Sequence, residues 1–158
     1  MISIKYHSGI YTLEVSQFLK IAQEDAWNFF SSPGNLSTIT PPSMGFVITS
    51  GPAKRMYAGQ IISYRVSPFA GFRSNWVTEI TRVEEGRFFV DEQRFGPYRM
   101  WHHEHIFEPK DSGVLMTDRI SYKLPMGILG RLAHSVFVRK KLRRIFEFRE
   151  ITLNQLFN

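Results

Sequence analysis

The sequence predicts an α+β domain in which a long antiparallel sheet curls around a C-terminal helix and encloses a small-molecule pocket. Three features predict it. Apolar and polar residues alternate almost without a break from Phe46 to Leu124. The period then becomes helical from Ile128 nearly to the end of the chain. Within the alternating stretch, the face that carries the aromatics also carries histidine and aspartate. That mixture suits a pocket wall better than a dry core, because a buried polar group without a partner is costly.

Length supports one domain. The chain has 158 residues, and no repeat, low-complexity tract or linker divides it, so residues 1–158 form a single ligand-binding unit. A domain of this size buries roughly 70% of its unfolded surface and folds without staples. Cysteine is absent, which excludes disulfides and thiolate chemistry. Fourteen Phe within an aromatic fraction of 15% suit a large core or an apolar cavity. Met1 to His7 lacks the apolar run and cleavage site of a signal peptide. No stretch approaches the ~20 apolar residues of a transmembrane segment, so a soluble, cytoplasmic protein is expected.

The elements follow in order. Tyr11 to Val15 alternates and holds β-branched residues, reading as a first strand. Glu24 to Ser32 reads as a short helix with Glu24 and Asp25 in its first turn, where the helix dipole favours acids. Ser31 to Asn35 stops it; Leu36 to Ile39 suits one further turn before Pro41-Pro42. Six strands follow at 46–50, 60–67, 72–83, 87–95, 98–109 and 114–124. Their joints are Gly51-Pro52, Pro68 to Gly71, Glu84 to Gly86, Gly96-Pro97 and Lys110 to Gly113. Joints this short connect antiparallel neighbours, so the strands form a meander.

In the final helix Val138, Leu142, Ile145, Phe146, Leu153 and Leu156 share a stripe at spacings of three and four. Leu129, Leu132 and Val136 point elsewhere, which implies a bend or a covered second face. The stripe must be buried, and the sheet is the one large partner for it. Between Arg131 and Arg149 lie seven basic residues against one acid, which accounts for the whole formal charge of +6. The run Arg139 to Arg144 reads as the solvated outer face of the helix. A peripheral contact with an anionic membrane or a protein partner through that face is an alternative. No nucleic-acid recognition module is visible.

Candidate site residues come from the inner rows of the strands. Trp101 and Phe107 mark the buried face of their strand, so His103 and His105 point inward with them and His102 faces away. The neighbouring rows are Ile62, Tyr64 and Val66; Trp76, Thr78 and Ile80; Phe89, Asp91 and Gln93; and Met116, Asp118, Ile120, Tyr122 and Leu124. Other registers would bury Glu79, Arg82 or Glu104. Arg149 falls within the apolar stripe, where a guanidinium needs an anion, either an inward acid or a ligand group.

Several segments together resemble a known family. They are Gly96-Pro97-Tyr98-Arg99-Met100-Trp101-His102-His103-Glu104-His105-Ile106-Phe107-Glu108-Pro109, Thr117 to Pro125, Ala26 to Phe30 and Phe146 to Arg149. Across about residues 11 to 157 the chain resembles the START and birch-pollen-allergen-like helix-grip superfamily (SRPBCC), in its polyketide cyclase/dehydrase-like branch. The resemblance implies a seven-stranded sheet gripping the C-terminal helix around a cavity. Lipid carriers, hormone receptors and ring-closing enzymes share that fold, so function is argued from the site.

The favoured expectation is a binder of an apolar small molecule that carries polar groups. Its contacts would come from Tyr64, Trp76, Thr78, Phe89, Asp91, Gln93, Trp101, His103, His105, Asp118, Tyr122 and Arg149. The alternative is a cyclase or dehydratase acting on a carbonyl substrate, with His103 or His105 as acid or base and Asp118 orienting the ring. His103 and His105 could also join Asp118 in a three-ligand metal site. However, His-x-His is a weak signal and no third histidine is in register, so neither metal nor cofactor is expected.

Overall fold

A computed structural model describes residues 2–50, 55–69 and 72–158. Eight antiparallel strands form one sheet in the order β1-β2-β8-β7-β6-β5-β4-β3. They are β1 (Ser3–His7), β2 (Ile10–Leu19), β3 (Val47–Ile48), β4 (Gln60–Phe69), β5 (Phe72–Glu84), β6 (Phe88–Phe95), β7 (Met100–Lys110) and β8 (Gly113–Lys123). Helix α1 (Gln23–Phe30) lies between β2 and β3, and α2 (Gly127–Ala133) runs through a π turn (His134–Val138) into α3 (Arg139–Phe157). None of the described helices is long and apolar enough to cross a membrane.

The expected meander runs from β3 to β8, and the long connection through α1 lets β2 pair with β8. The seven strands expected become eight. Ser3–His7 adds an edge strand, joined to β2 by the two-residue turn Ser8-Gly9, with φ of 50° and 85°. Positive φ at both positions gives the turn whose twist matches a hairpin, and glycine adopts it without strain. The second correction concerns the short helical segments. The turn expected at Leu36 to Ile39 begins earlier, as a 3-10 turn over Pro33–Ser37. Pro42 opens another (Pro42–Met44) because its missing N–H is not needed at a first helical position. Of the joint expected at Pro68 to Gly71, Pro68 and Phe69 belong to β4, while positions 70 and 71, like the joint expected at Gly51-Pro52, lie outside the described residues.

Arg82 is expected inward only in the alternative register. Yet it shares the parity of Trp76, Thr78 and Ile80, so strict alternation in the favoured register would turn it inward. A bulge between Ile80 and Arg82 prevents this: Ile80 pairs with Asp91 and Arg82 with Val90, leaving one extra residue on β5. Beyond the bulge Arg82 is exposed, its guanidinium lies over the Phe88 ring, and Val83 packs inward.

Two apolar clusters fix the helices on the sheet. Trp27 and Phe30 of α1 meet Phe89, Phe107, Leu19 and Leu153, with Trp27 edge-on to both Phe89 and Phe107. Val138, Leu142 and Phe146 cover Leu13, Val15, Ile120 and Tyr122 on β2 and β8. A third cluster, Ile62, Tyr64, Val66 and Ile80 on β4 and β5, draws no partner from α3. The helix leans toward the β2–β8 side, and the β4–β5 wall is left facing open space.

The C-terminal helix departs from its expected form in two ways. The foreseen change of face is a π turn, in which Arg139 N–H donates to the His134 carbonyl five residues back. No second covered face exists among the described residues, since Leu129, Leu132 and Val136 are exposed. Leu156, expected in the buried stripe, is also exposed.

Candidate functional site

Between the β4–β6 wall and the helices lies a cavity of about 230 Å³. Tyr64, Trp76, Thr78, Phe89, Asp91, Trp101, His103, His105 and Arg149 line it. Ordinary pleating puts them there: Tyr64 pairs with Trp76, Ile80 with Asp91, Asp91 with His103 and Phe89 with His105, so each row continues on the next strand.

Three expected residues do not line the cavity. The Gln93 side chain is used by the β6–β7 connection, donating to the Tyr98 carbonyl at 2.6 Å and accepting from Tyr98 N–H at 3.1 Å. Tyr122 lies beneath Tyr98 and Trp101, and its hydroxyl is hydrogen-bonded to His134 Nε2 at 2.8 Å. Asp118 stands behind the histidines and anchors them. Sequence reasoning missed other lining residues, among them Phe29, Phe30, Met56, Tyr98 and Lys141. The pair Phe29-Phe30 was available as a signal, because an α1 that packs on the sheet must turn aromatic residues toward it. Met56 and Tyr98 sit in connections without periodicity.

The polar part of the wall is a compact ionic network. His103 Nε2 is 2.9 Å from Asp118 Oδ1, and His105 Nε2 is 2.8 Å from Asp91 Oδ2. Arg149 Nη1 donates to Asp118 Oδ2 at 3.0 Å. The imidazole centroids are 3.7 Å apart, and His105 also stacks on Phe89 at 4.1 Å. His102 is on the other face of β7, with Nδ1 2.7 Å from Glu92 Oε1.

Burial and charge divide the protons between these groups. Burial raises the Asp118 carboxyl, but the Arg149 guanidinium and both imidazoles outweigh it and hold Asp118 well below the usual carboxylate range. Asp91 behaves alike: burial pushes up, and His103, His105 and Arg149 bring it below its ordinary value. For His103, burial lowers the proton affinity and the neighbouring His105 adds to the effect. Burial acts on His105 too, but its bonds to Asp118 and Asp91 overcome that and raise it. These shifts favour the ionised forms of Asp91 and Asp118, and a proton on His105 over one on His103. Each buried carboxylate thus has a cationic or hydrogen-bonding partner, which burial of a charge requires.

Asp91, His103 and His105 each offer a donor atom, all within 4.8 Å of one another, so the trio could hold a metal ion. Asp118 is not in it. An ion would have to compete with His105 for Asp91. Within the network, Arg149 Nε is buried without a hydrogen-bond partner, and His105 Nδ1, 3.0 Å from Asp118 Oδ1, meets that carboxylate as an ion pair and not as a well-aligned hydrogen bond.

No protein-family model matches the sequence, and no curated protein matches it. Solved structures do. Protein Ms6760 from Mycobacterium smegmatis aligns with a TM-score of 0.67 at 14% identity, covering 99% of each chain. Major latex-like protein 151 from Panax ginseng has a TM-score of 0.67 at 14% identity over 94% of this chain and 98% of its own. Ara h 8.0201 aligns at 0.64 and 15% identity over 93% of this chain and 99% of its own. At such identities the likeness is one of fold: the chain has the helix-grip fold, a curved antiparallel sheet around the C-terminal helix.

Proposed function

We propose that the protein binds a compact apolar molecule bearing at least one polar oxygen in the cavity between sheet and C-terminal helix. The observation that carries this reading is the composition of the wall. Aromatic and aliphatic side chains form most of it, and the Asp91–His103–His105–Arg149 network converges on one side. Few polar groups within an apolar enclosure are what orient a small ligand. Arg149 lines the cavity beside the histidines, and its guanidinium charge supports an oxygen on the ligand. A volume of about 230 Å³ falls just below the ~300–1,000 Å³ of typical ligand pockets, which favours a single chain or a small aromatic over a sterol. Tyr64, Trp76, Thr78, Phe89 and Trp101 are the apolar and hydroxyl contacts in this reading, and His103, His105, Asp91 and Arg149 the polar ones.

The test is native mass spectrometry of the purified protein with solvent extraction of bound material. Thermal denaturation with fatty acids, sterols and aromatic polyketide-like compounds accompanies it. Ligand at a hundredfold its dissociation constant raises stability by about 2.7 kcal/mol. Absence of any bound molecule together with no shift across the library would defeat the reading.

A second reading rests on His103. An imidazole at the cavity wall, its proton affinity lowered by burial and by His105, can exchange a proton with a carbonyl-bearing substrate. Chemical change of the bound molecule, rather than simple release, distinguishes a cyclase or dehydratase from a carrier.

A further inference from the structure

Outside the cavity, the surface feature with the least explanation is the start of the C-terminal helical segment. Ile128 and Leu129 are 74% and 62% exposed, Leu132 and Phe137 62% and 61%, and Val136 53%. Helices of soluble proteins turn such residues inward, and a contiguous exposed set marks an interaction surface. Gly130, His134 and Val138 are the buried positions of this segment, so its attachment to the sheet is accounted for without the exposed apolar residues. A methyl group at Gly130 would collide with the Pro125 carbonyl, so the helix is held close to the end of β8 with its apolar side outward.

The charge along the same line says what covers it. Ile128, Leu132, Val136, Lys140 and Arg144 follow one another at spacings of four and are all exposed. In a regular helix each such step overshoots a whole turn by roughly 40°. The π turn at His134–Val138 holds an extra residue and takes back much of that drift, so the five stay on one side. The line thus passes from apolar to basic. Arg131 and Arg139 are exposed alongside it, and Tyr6 stands half-exposed beside Arg131. Apolar side chains next to lysine and arginine, with a tyrosine at the margin, match the acyl boundary and phosphates of an anionic lipid surface.

We propose that this protein docks on anionic membranes through the α2–π segment, inserting Ile128, Leu129 and Leu132 while Lys140 and Arg144 meet lipid phosphates. Docking needs no occupant in the cavity, so it stands or falls separately from ligand binding. It also places the cavity near the bilayer, because Val138 and Lys141, one residue beyond Phe137 and Lys140, line it.

The test is co-sedimentation of the full chain with vesicles of phosphatidylcholine alone and of phosphatidylcholine with phosphatidylglycerol at three to one. Binding to the anionic vesicles, and little to the neutral ones, is expected, with weakening as salt rises. The double variant Ile128→Asp/Leu132→Asp should lose at least about a hundredfold in partitioning, and Lys140→Glu/Arg144→Glu about tenfold or more. All four positions are exposed, so circular dichroism and the melting midpoint should match the parent. No binding to anionic vesicles overturns the proposal. So does undiminished binding by the Asp double variant, which would mean adhesion by charge alone. A dimer in light scattering that the same double variant dissolves would also overturn it, because a second copy would then be the occupant.

Discussion

Arg149 on α3 and Asp118 on β8 form a buried ion pair, 3.0 Å from Nη1 to Oδ2, that ties the C-terminal helix to the sheet enclosing it. Sequence placed a guanidinium inside the apolar stripe and required an anion for it. The protein supplies that anion itself. The same carboxylate holds His103, so the pair joins the grip of the fold to the polar wall of the cavity.

Removing one partner should therefore be costly. Arg149→Ala leaves Asp118 ionised and buried, and is expected to destabilise by roughly 3–5 kcal/mol in urea denaturation. Arg144→Ala on the exposed face serves as the control, expected within about ±0.5 kcal/mol. A loss at Arg149 no larger than at Arg144 would show that the pair does not hold the helix.

His134 predicts a pH dependence of stability. It is buried between Tyr11, stacked at 3.6 Å, and the Tyr122 hydroxyl, hydrogen-bonded to Nε2. Burial, with the Arg139 charge adding to it, lowers its pKa to about 4. The unfolded chain, with an imidazole near 6.5, then binds more protons than the folded one between about pH 6.5 and 4. Stability contributed by neutral His134 is full above that window and falls on acidification through it. His134→Gln should flatten part of the slope; an unchanged profile would contradict the assignment. His103, lowered in the same direction, leaves a remainder.

The paired network predicts that no metal is required. Elemental analysis should find no stoichiometric zinc or iron, and chelator should leave the melting midpoint unchanged. His103→Ala and His105→Ala should change ligand affinity more than His102→Ala, whose imidazole is on the outer face. One equivalent of metal, lost on replacing both inner histidines, would reverse this.

Gly130 predicts a packing limit. Gly130→Ala drives its new methyl into the Pro125 carbonyl and the Leu124 side chain. A loss of about 1–3 kcal/mol is expected, the usual range for overpacking, whereas Gly34→Ala, with open space around it, should be close to neutral. Equal effects would mean that α2 is free to stand off from β8.

Alternation alone put Trp101, His103, His105 and Phe107 on one face of one strand, because side chains two apart must point the same way whatever the partner. The 3.6-residue period likewise put Arg149 in line with Leu142, Phe146 and Leu153, all of which are buried. Those placements depend only on local geometry, and the sequence by itself determined them. The Ser8-Gly9 hairpin was missed, since the first strand was expected only from Tyr11, although Ser-Gly is a dipeptide that favours a turn. What remained lay between elements. Asp91 and Asp118 were equal candidates for Arg149 until the register set Asp118 opposite His105 and brought α3 across β8. The Arg82 side chain was turned outward by a bulge that exists only relative to β6. Gln93, on the inner row by parity, was taken by a connection whose backbone needed its amide. The open space on the β4–β5 wall depends on which side of the sheet the helix leans toward. Only the tertiary structure decided these points, because a local period fixes the direction of a side chain, whereas its partner depends on strands and helices many residues away.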